Sequence, residues 1–346
     1  MALNFTGVGN DPGSLNAFMA ATDTDYAGLS VNWGPATRDA SGGTMKFHST
    51  RINSVSSPQS AAEYLDTTVC QGGYPVVVGV ELNPQGIPGH FVVVTGKTGN
   101  DFQIADPGFP HTLLSQYNSE FETRGFVADP PGDISELDLA VGDAAEFLVV
   151  DPSQRGTGSD PATGQVTEQI PRSVYFRDGL EDDVTGAPPT AVAHFADVFQ
   201  PSQGLYKITI TGLKLGTYTL STRMFSQDGS PQPERTLVGI AGVGSTSSVS
   251  LELSPSPGAV PRVKRLATFA GTLADISNSL QLGLIDNRGI ATSLAQEILA
   301  AQRAAGLSRG NILAAFEREV KAQAGKHVTA IVVQVLLEDA ASLRTQ

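Results

Sequence analysis

Two hydrophobic periods divide this chain. Over residues 131–256 apolar side chains alternate with polar ones, as in Tyr206, Ile208, Ile210, then Tyr218, Leu220, Thr222, Met224, then Val249, Leu251, Leu253. Period two places each set on one face of a pleated strand. The runs ISELDLAVGDAAEFLVVDP, SVYFRDG, AVAHFADV, GLYKITITGL, GTYTLSTRMFS, ERTLVGIAGV and SSVSLELS all read as short strands, punctuated by Gly, Pro, Asp and Ser. Beyond residue 262 the period becomes helical. Leu266, Phe269, Leu273, Ile276 and Leu280 make one stripe, and Ile290, Leu294, Ile298 and Ala301 a second. Ile312, Leu313, Phe316 and Val320 make a third, and Val332, Val333, Leu336, Leu337 and Leu343 a fourth. No single two-layer domain accommodates both patterns, so the chain divides.

The alternating region predicts an antiparallel β-sandwich of immunoglobulin-like type over 131–256. Leu213–Gly216 reads as a hairpin turn, and the Gly- and Pro-rich stretch 147–176 as strand, long turn, strand. Ser254-Pro-Ser-Pro-Gly258 reads as a short stiff linker. The region 260–346 predicts a small all-α bundle of four amphipathic helices. Ser308 caps the third, Gly325 ends it, and Thr329 caps the fourth.

Residues 1–130 carry the candidate chemistry, in PGHFVVVTGKTGNDFQIADP, residues 88–107. Phe91–Thr95 and Phe102–Ala105 are apolar runs around a polar turn, the signature of a hairpin. With the turn centred on Thr98, His90 faces Asp106. Directly opposed residues have Cβ atoms about 4.5–5.5 Å apart, within reach of an imidazole–carboxylate hydrogen bond. The carboxylate would fix the ring's tautomer and stabilise its protonated form, as the orienter and base of a nucleophilic triad do. A one-residue slip in register would break this pairing. The competing reading is a partly exposed strand-end histidine beside an ordinary Asp-Pro-Gly turn.

A nucleophile is harder to find. The one cysteine, Cys70, follows a helical run through Ala61, Ala62, Leu65 and Val69 that Gly72-Gly73 stops. A helix C-terminus disfavours a thiolate, so Cys70 is expected to be a small buried thiol distant from His90. No Gly-x-Ser-x-Gly elbow occurs.

Residues 1 to about 128 resemble papain-like cysteine peptidases related to the bacteriocin-leader-processing family. The matching pieces are MALNFTGV, DPGSLNAFM with Asp11 as cap and Pro12 in the first turn, LSVNW, GGYPVVVGV, GHFVVVTG, IADPG and TLLSQYNSEFETRGF. The resemblance implies an α+β papain-like fold, a catalytic pair of His90 and Asp106, and a peptide or protein substrate. The family's nucleophilic Cys heads the helix whose tail MALNFTGV resembles, with an oxyanion-hole Gln further upstream, so both are expected to precede Met1. The fold class expected is therefore multidomain: a truncated α+β papain-like domain, a β-sandwich and a small all-α bundle. LGLIDNRGIATSLAQEILAAQ, AAFEREVKAQAGKHVT and LLEDAASL resemble the FIMAH domain, a helical module of secreted bacterial proteins whose partner is undefined. Together these resemblances imply a secreted or cell-surface bacterial hydrolase of peptide bonds, inactive in the form of this sequence. The alternative is a non-catalytic secreted binding or adhesion protein that keeps a peptidase-like fold.

Charge and composition exclude other classes. The net charge is −13 over 346 residues, and residues 1–261 hold 12 basic against 28 acidic side chains. Such a body lacks the basic stripe that nucleic acid requires. No apolar run is long enough for a membrane span, and no signal-peptide pattern is present. A single cysteine allows no internal disulfide. His48, His111 and His194 stand apart, without metal-ligand spacing, so neither metal nor cofactor is expected. His111 is close enough to Asp106 to line the same cleft, although a surface turn competes as its reading. His327 reads as a surface turn histidine. Asp151, Asp160, Asp178, Asp182 and Asp183 read as solvated turn aspartates rather than a calcium loop.

Overall fold

The computed structural model describes residues 9, 12–21, 26–27, 30–31, 33–50, 61–81, 88–117, 120–127, 132–178 and 191–345. Its architecture is multidomain, with several antiparallel sheets followed by helices. Residues 1–8, Asp11 and Leu29, on which part of the peptidase resemblance rests, lie outside the described residues, as do Asp182 and Asp183.

Among the described residues, the first region begins with helix α1 (Pro12–Ala20), whose Pro12 supplies a preset φ at a position that needs no amide donor. A two-strand ribbon, β1 (Tyr26–Ala27) with β2 (Ser30–Val31), and helix α2 (Trp33–Ala40) follow. The main sheet has five antiparallel strands in the order β3 (Lys46–Thr50), β7 (Glu120–Val127), β4 (Val76–Glu81), β5 (Pro88–Thr98), β6 (Asp101–Ala105). The predicted helix forms as α3 (Ala61–Leu65) and runs on as a π-helical turn over Asp66–Gln71. Gly73 breaks it with a φ of 70°. Period two now does its work: Val76, Val78, Val80, Val92, Val94, Phe102 and Ile104 point from one sheet face onto Tyr64, Leu65 and Val69.

The second region is two antiparallel sheets sharing one core. One has the order β11 (Val166–Glu168), β10 (Gly156–Ser159), β9 (Ala145–Val150), β14 (Gly204–Gly212), β17 (Thr246–Leu253), β18 (Arg262–Arg265). The other has the order β12 (Ser173–Asp178), β13 (Ala193–Phe199), β8 (Glu136–Val141), β15 (Gly216–Phe225), β16 (Arg235–Ala241). Every residue of the three alternating sets is buried, and both sheets contribute to the cluster around Phe147, Tyr206 and Leu220.

Three local expectations change. Leu213–Leu215 is not a hairpin turn: β14 pairs with β9 and β17 while β15 pairs with β8 and β16, so the short link carries the chain from one sheet to the other. The long turn of 147–176 contains two strands of its own, β10 and β11. The proposed linker at 254–258 does not separate two domains: it belongs to the loop joining β17 to β18, which pair in one sheet and carry it past residue 256 to Arg265.

Four helices complete the chain: α4 (Phe269–Gln281), α5 (Arg288–Arg303), α6 (Gly306–Gln323) and α7 (Ala330–Arg344). Asn287 caps α5 through its side chain, accepting from the amides of Gly289 and Ile290. The cap predicted at Ser308 is wrong by three residues: α6 begins after Ala305. Thr329 does occupy the N-cap of α7, but its side chain makes no capping hydrogen bond. Phe316, Leu294, Val320 and Leu336 are fully buried, and Ile240 of β16 joins their cluster, so the bundle rests on the edge of the second sheet.

Candidate active site

The β5–β6 hairpin that builds the site has a different turn from the one expected. Thr98 pairs with Asp101, so the loop is the two residues Gly99 and Asn100, with Gly99 at φ 59°. Continued unbroken, that register would put His90 and Asp106 on opposite faces. It does not continue. Gly96 pairs with Gln103 but Val94 with Ile104, so Thr95 is an extra residue, a β-bulge. The bulge shifts the register by one and brings Ile104 and Asp106 onto the face that His90 shares with Val92 and Val94. His90 pairs with Val80 on its other side and is only 5% exposed.

Asp106 is the first residue after β6, and its turn aims the carboxylate back at His90. His90 Nε2 lies 2.8 Å from Asp106 Oδ1. The same oxygen accepts the amides of Gly108 and Phe109, each at 2.9 Å, and the Tyr117 hydroxyl donates to Oδ2. Pro107 has no amide to compete for that oxygen. Burial alone would raise the Asp106 pKa. The Tyr117 hydroxyl, the two amides and the His90 ring outweigh it and hold the group at about 2. Tyr117 is correspondingly pushed up, by burial and by the adjacent carboxylate.

This fixes the imidazole chemically. An ionised carboxylate only accepts, so His90 Nε2 must carry the donated proton. In the neutral ring the lone pair then sits on Nδ1. Among the described residues the ring makes no other hydrogen bond. A ring held in this way can accept a proton at Nδ1 while Nε2 stays bound to Asp106.

Aromatic rings surround the pair. Phe109 meets His90 edge-on at 5.2 Å, and His111 meets Tyr117 edge-on at 4.8 Å and stacks on Phe109 at 5.9 Å. His111 Nδ1 is 3.9 Å from Asp106 Oδ2, so this histidine does line the same site. The loop holding these rings is tied down. Ile104 donates to the Thr112 carbonyl at 3.0 Å, and Gln116 Oε1 accepts the amides of Thr112 and Leu113. The sequence reading did not single out Gly108, Phe109 or Tyr117. Tyr117 sits eleven residues beyond Asp106, and its one signal is the short Leu114–Gln116 turn that brings it back.

Cys70 is exposed, which corrects the expectation of a buried thiol. It lies on the π-helical turn, whose outer side presents Asp66 to Lys97 at 2.7 Å. On this turn Cys70 falls on the solvent side while Val69 takes the core. Lys97 and His90 are at opposite ends of β5, on the order of 20 Å apart at strand rise. Cys70 therefore serves the turn end of the hairpin and not the His90 end. Partial desolvation and the Asp66 charge raise its pKa, against a smaller opposing effect of Lys97.

The other candidates disperse. His194 is buried against the Tyr175 hydroxyl at 2.8 Å, and burial lowers its pKa to about 4. His327 is exposed and pairs with Asp286 at 2.8 Å. The side chain of His48 lies outside the described residues. Asp160 caps its own turn, as expected of a turn aspartate. Asp151 does not stay solvated: it is 1% exposed and bonds the Arg155 guanidinium. One carboxylate group escaped the sequence reading, Glu136 and Asp138 of β8 with Asp197 of β13. Register alone brings these together, since Asp138 and Asp197 are direct cross-strand partners.

No family model, curated protein or solved structure matches the chain. No helix among the described residues is long and apolar enough to cross a membrane.

Proposed function

We propose that residues 1–130 form the histidine–aspartate half of a papain-like cysteine peptidase site. The observation that carries this reading is the His90–Asp106 bond at 2.8 Å, made to a carboxylate already held by two amides and a tyrosine hydroxyl. In that reaction a thiol beside His90 gives its proton to Nδ1, and the thiolate attacks the substrate carbonyl. His90 then returns the proton to the leaving amine, and water releases the acyl group by the reverse path. Asp106 holds the ring through both transfers.

The nucleophile is not Cys70, which stands at the far end of the hairpin. The resemblance implies a nucleophilic Cys other than Cys70 and an oxyanion-hole Gln. It further implies a secreted or cell-surface bacterial peptidase acting on peptide or protein substrates, with an immunoglobulin-like sandwich and a FIMAH-like bundle as appended modules. The two-sheet core over 137–253 and the four helices over 269–344 are compatible with those modules.

The test begins with the coding DNA before the Met1 codon. An open frame encoding Gln and then Cys is expected. The extended protein should cleave a peptide library, and His90→Ala should lower the rate by about 10²–10⁴-fold. A stop codon directly upstream, or an extended protein that cleaves nothing and takes no thiol-directed inhibitor, overturns the proposal. The non-catalytic reading would then stand.

A further inference from the structure

The bundle meets the sandwich around a buried charge group that the peptidase reading does not use. Arg265, the last residue of β18, has a side chain only 4% exposed. Its Nε lies 3.5 Å from Asp339 Oδ1 and 3.3 Å from Glu338 Oε2, both on α7, and its guanidinium donates to the Val238 carbonyl of β16. Asp275 of α4, itself only 7% exposed, lines the same cavity as Asp339 and Arg265. Asp339 is 1% exposed, and its Oδ2 has no further partner among the described residues. A cavity of about 90 Å³ lies against them, lined also by Ser247, Thr268 and Thr272.

Two buried carboxyl groups lining one small cavity beside a single guanidinium do not both stay ionised, so one of them keeps a proton. With it, Arg265 balances the one remaining negative charge. Without it, two buried carboxylates face one guanidinium, with Glu338 adding a third negative charge at the rim. We propose that Asp275 and Asp339 share one proton and act as a latch that docks the helical bundle on the sandwich, released as that proton is lost.

The groups facing the pair are Arg265 and Tyr218 from the sandwich and Glu338 from α7. Burial raises Asp275 well above the ordinary carboxyl range, the Asp339 charge raises it further, and Arg265 opposes. Burial also raises Asp339, with Arg265 again opposing. Folded values above the unfolded one mean that the docked state binds the extra proton. Its stabilisation is full near the ordinary Asp value of about 4 and is lost as pH rises through the folded value.

The reporter is the Ala267 amide, which donates to Ser342 Oγ across the joint at 2.9 Å. Hydrogen exchange of the full chain is measured between about pH 5 and about pH 8, corrected for the intrinsic rate and referenced to Leu294 inside the bundle. Protection at Ala267 relative to Leu294 should fall by about tenfold or more, one decade being one unit of differential protonation. Asp275→Asn keeps a donor to Asp339 and removes the titration, so its Ala267 protection should not change with pH. A wild-type ratio that is flat across this range overturns the latch. So does a pH-dependent ratio that persists in Asp275→Asn. Should that variant not fold, the wild-type ratio alone decides.

Discussion

Gly108 runs against the edge of the His90 imidazole: a Cβ built on it would lie 3.1 Å from Cε1 and 3.9 Å from Asp106 Oδ1. The glycine is thus a packing requirement of the pair. Gly108→Ala should push the ring off Asp106 while leaving the fold intact, because Gly108 is exposed and outside any strand. Nitrogen-15 NMR of the histidine ring should show loss of the Nε2 hydrogen bond. In the active extended protein the rate should fall by about tenfold or more, since orientation of the base sets its efficiency. An unchanged Nε2 resonance would sink this account.

Tyr117→Phe removes one donor from the buried Asp106 carboxylate and should cost about 1–3 kcal/mol. The acid titration gives the sharper measurement. Asp106 titrates at about 2 when folded. Its stabilisation is therefore present above the unfolded value of about 3.9 and is lost as pH falls towards the folded one. Tyr117→Phe should raise the folded value and so narrow that acid window. Carbon-13 NMR of the carboxyl group gives the shift directly.

Cys70 should behave as an exposed and poorly activated thiol. Iodoacetamide should label the folded protein at this residue, more slowly at neutral pH than an unstructured cysteine peptide, because desolvation and Asp66 depress the thiolate fraction. Cys70→Ser should leave stability within about 0.5 kcal/mol of wild type, as expected of a surface change. In the extended protein it should leave peptide cleavage unchanged. Loss of cleavage on this substitution would make Cys70 the nucleophile and refute the geometry argued from β5.

The strands and helices were legible wherever one period ran unbroken. Tyr206, Ile208 and Ile210 reach the core because pleating admits one outcome for alternation, and Phe316 and Val320 do so for the helical equivalent. Connections were less legible. Nothing in Leu213–Leu215 says whether the next strand pairs with the last one or crosses to the other sheet, since both need only a short connection. The site was legible for a partly accidental reason. A turn centred on Thr98 gave the right face for His90, yet the molecule uses Gly99-Asn100 and recovers the same face through a bulge at Thr95. Bulges leave almost no local mark on a sequence, because the extra residue differs from its neighbours only in what it fails to pair with. Tyr117 was illegible for another reason: its contact with Asp106 depends on a loop path that no period describes.

Ile240 tests how the two carboxy-terminal regions depend on each other. It belongs to β16 by backbone pairing, opposite Thr217, but its side chain is 1% exposed within the cluster of the helical bundle. Ile240→Ala should cost about 2–5 kcal/mol, the range for truncating a buried aliphatic side chain. The loss should be felt at the joint rather than inside the sandwich core, where Phe147 and Tyr206 pack without it. Limited proteolysis should therefore cut the variant near residues 265–268 while leaving the strands of the sandwich resistant. Were the sandwich itself to become protease-sensitive first, Ile240 would be supporting its own sheet, and the bundle would not depend on it.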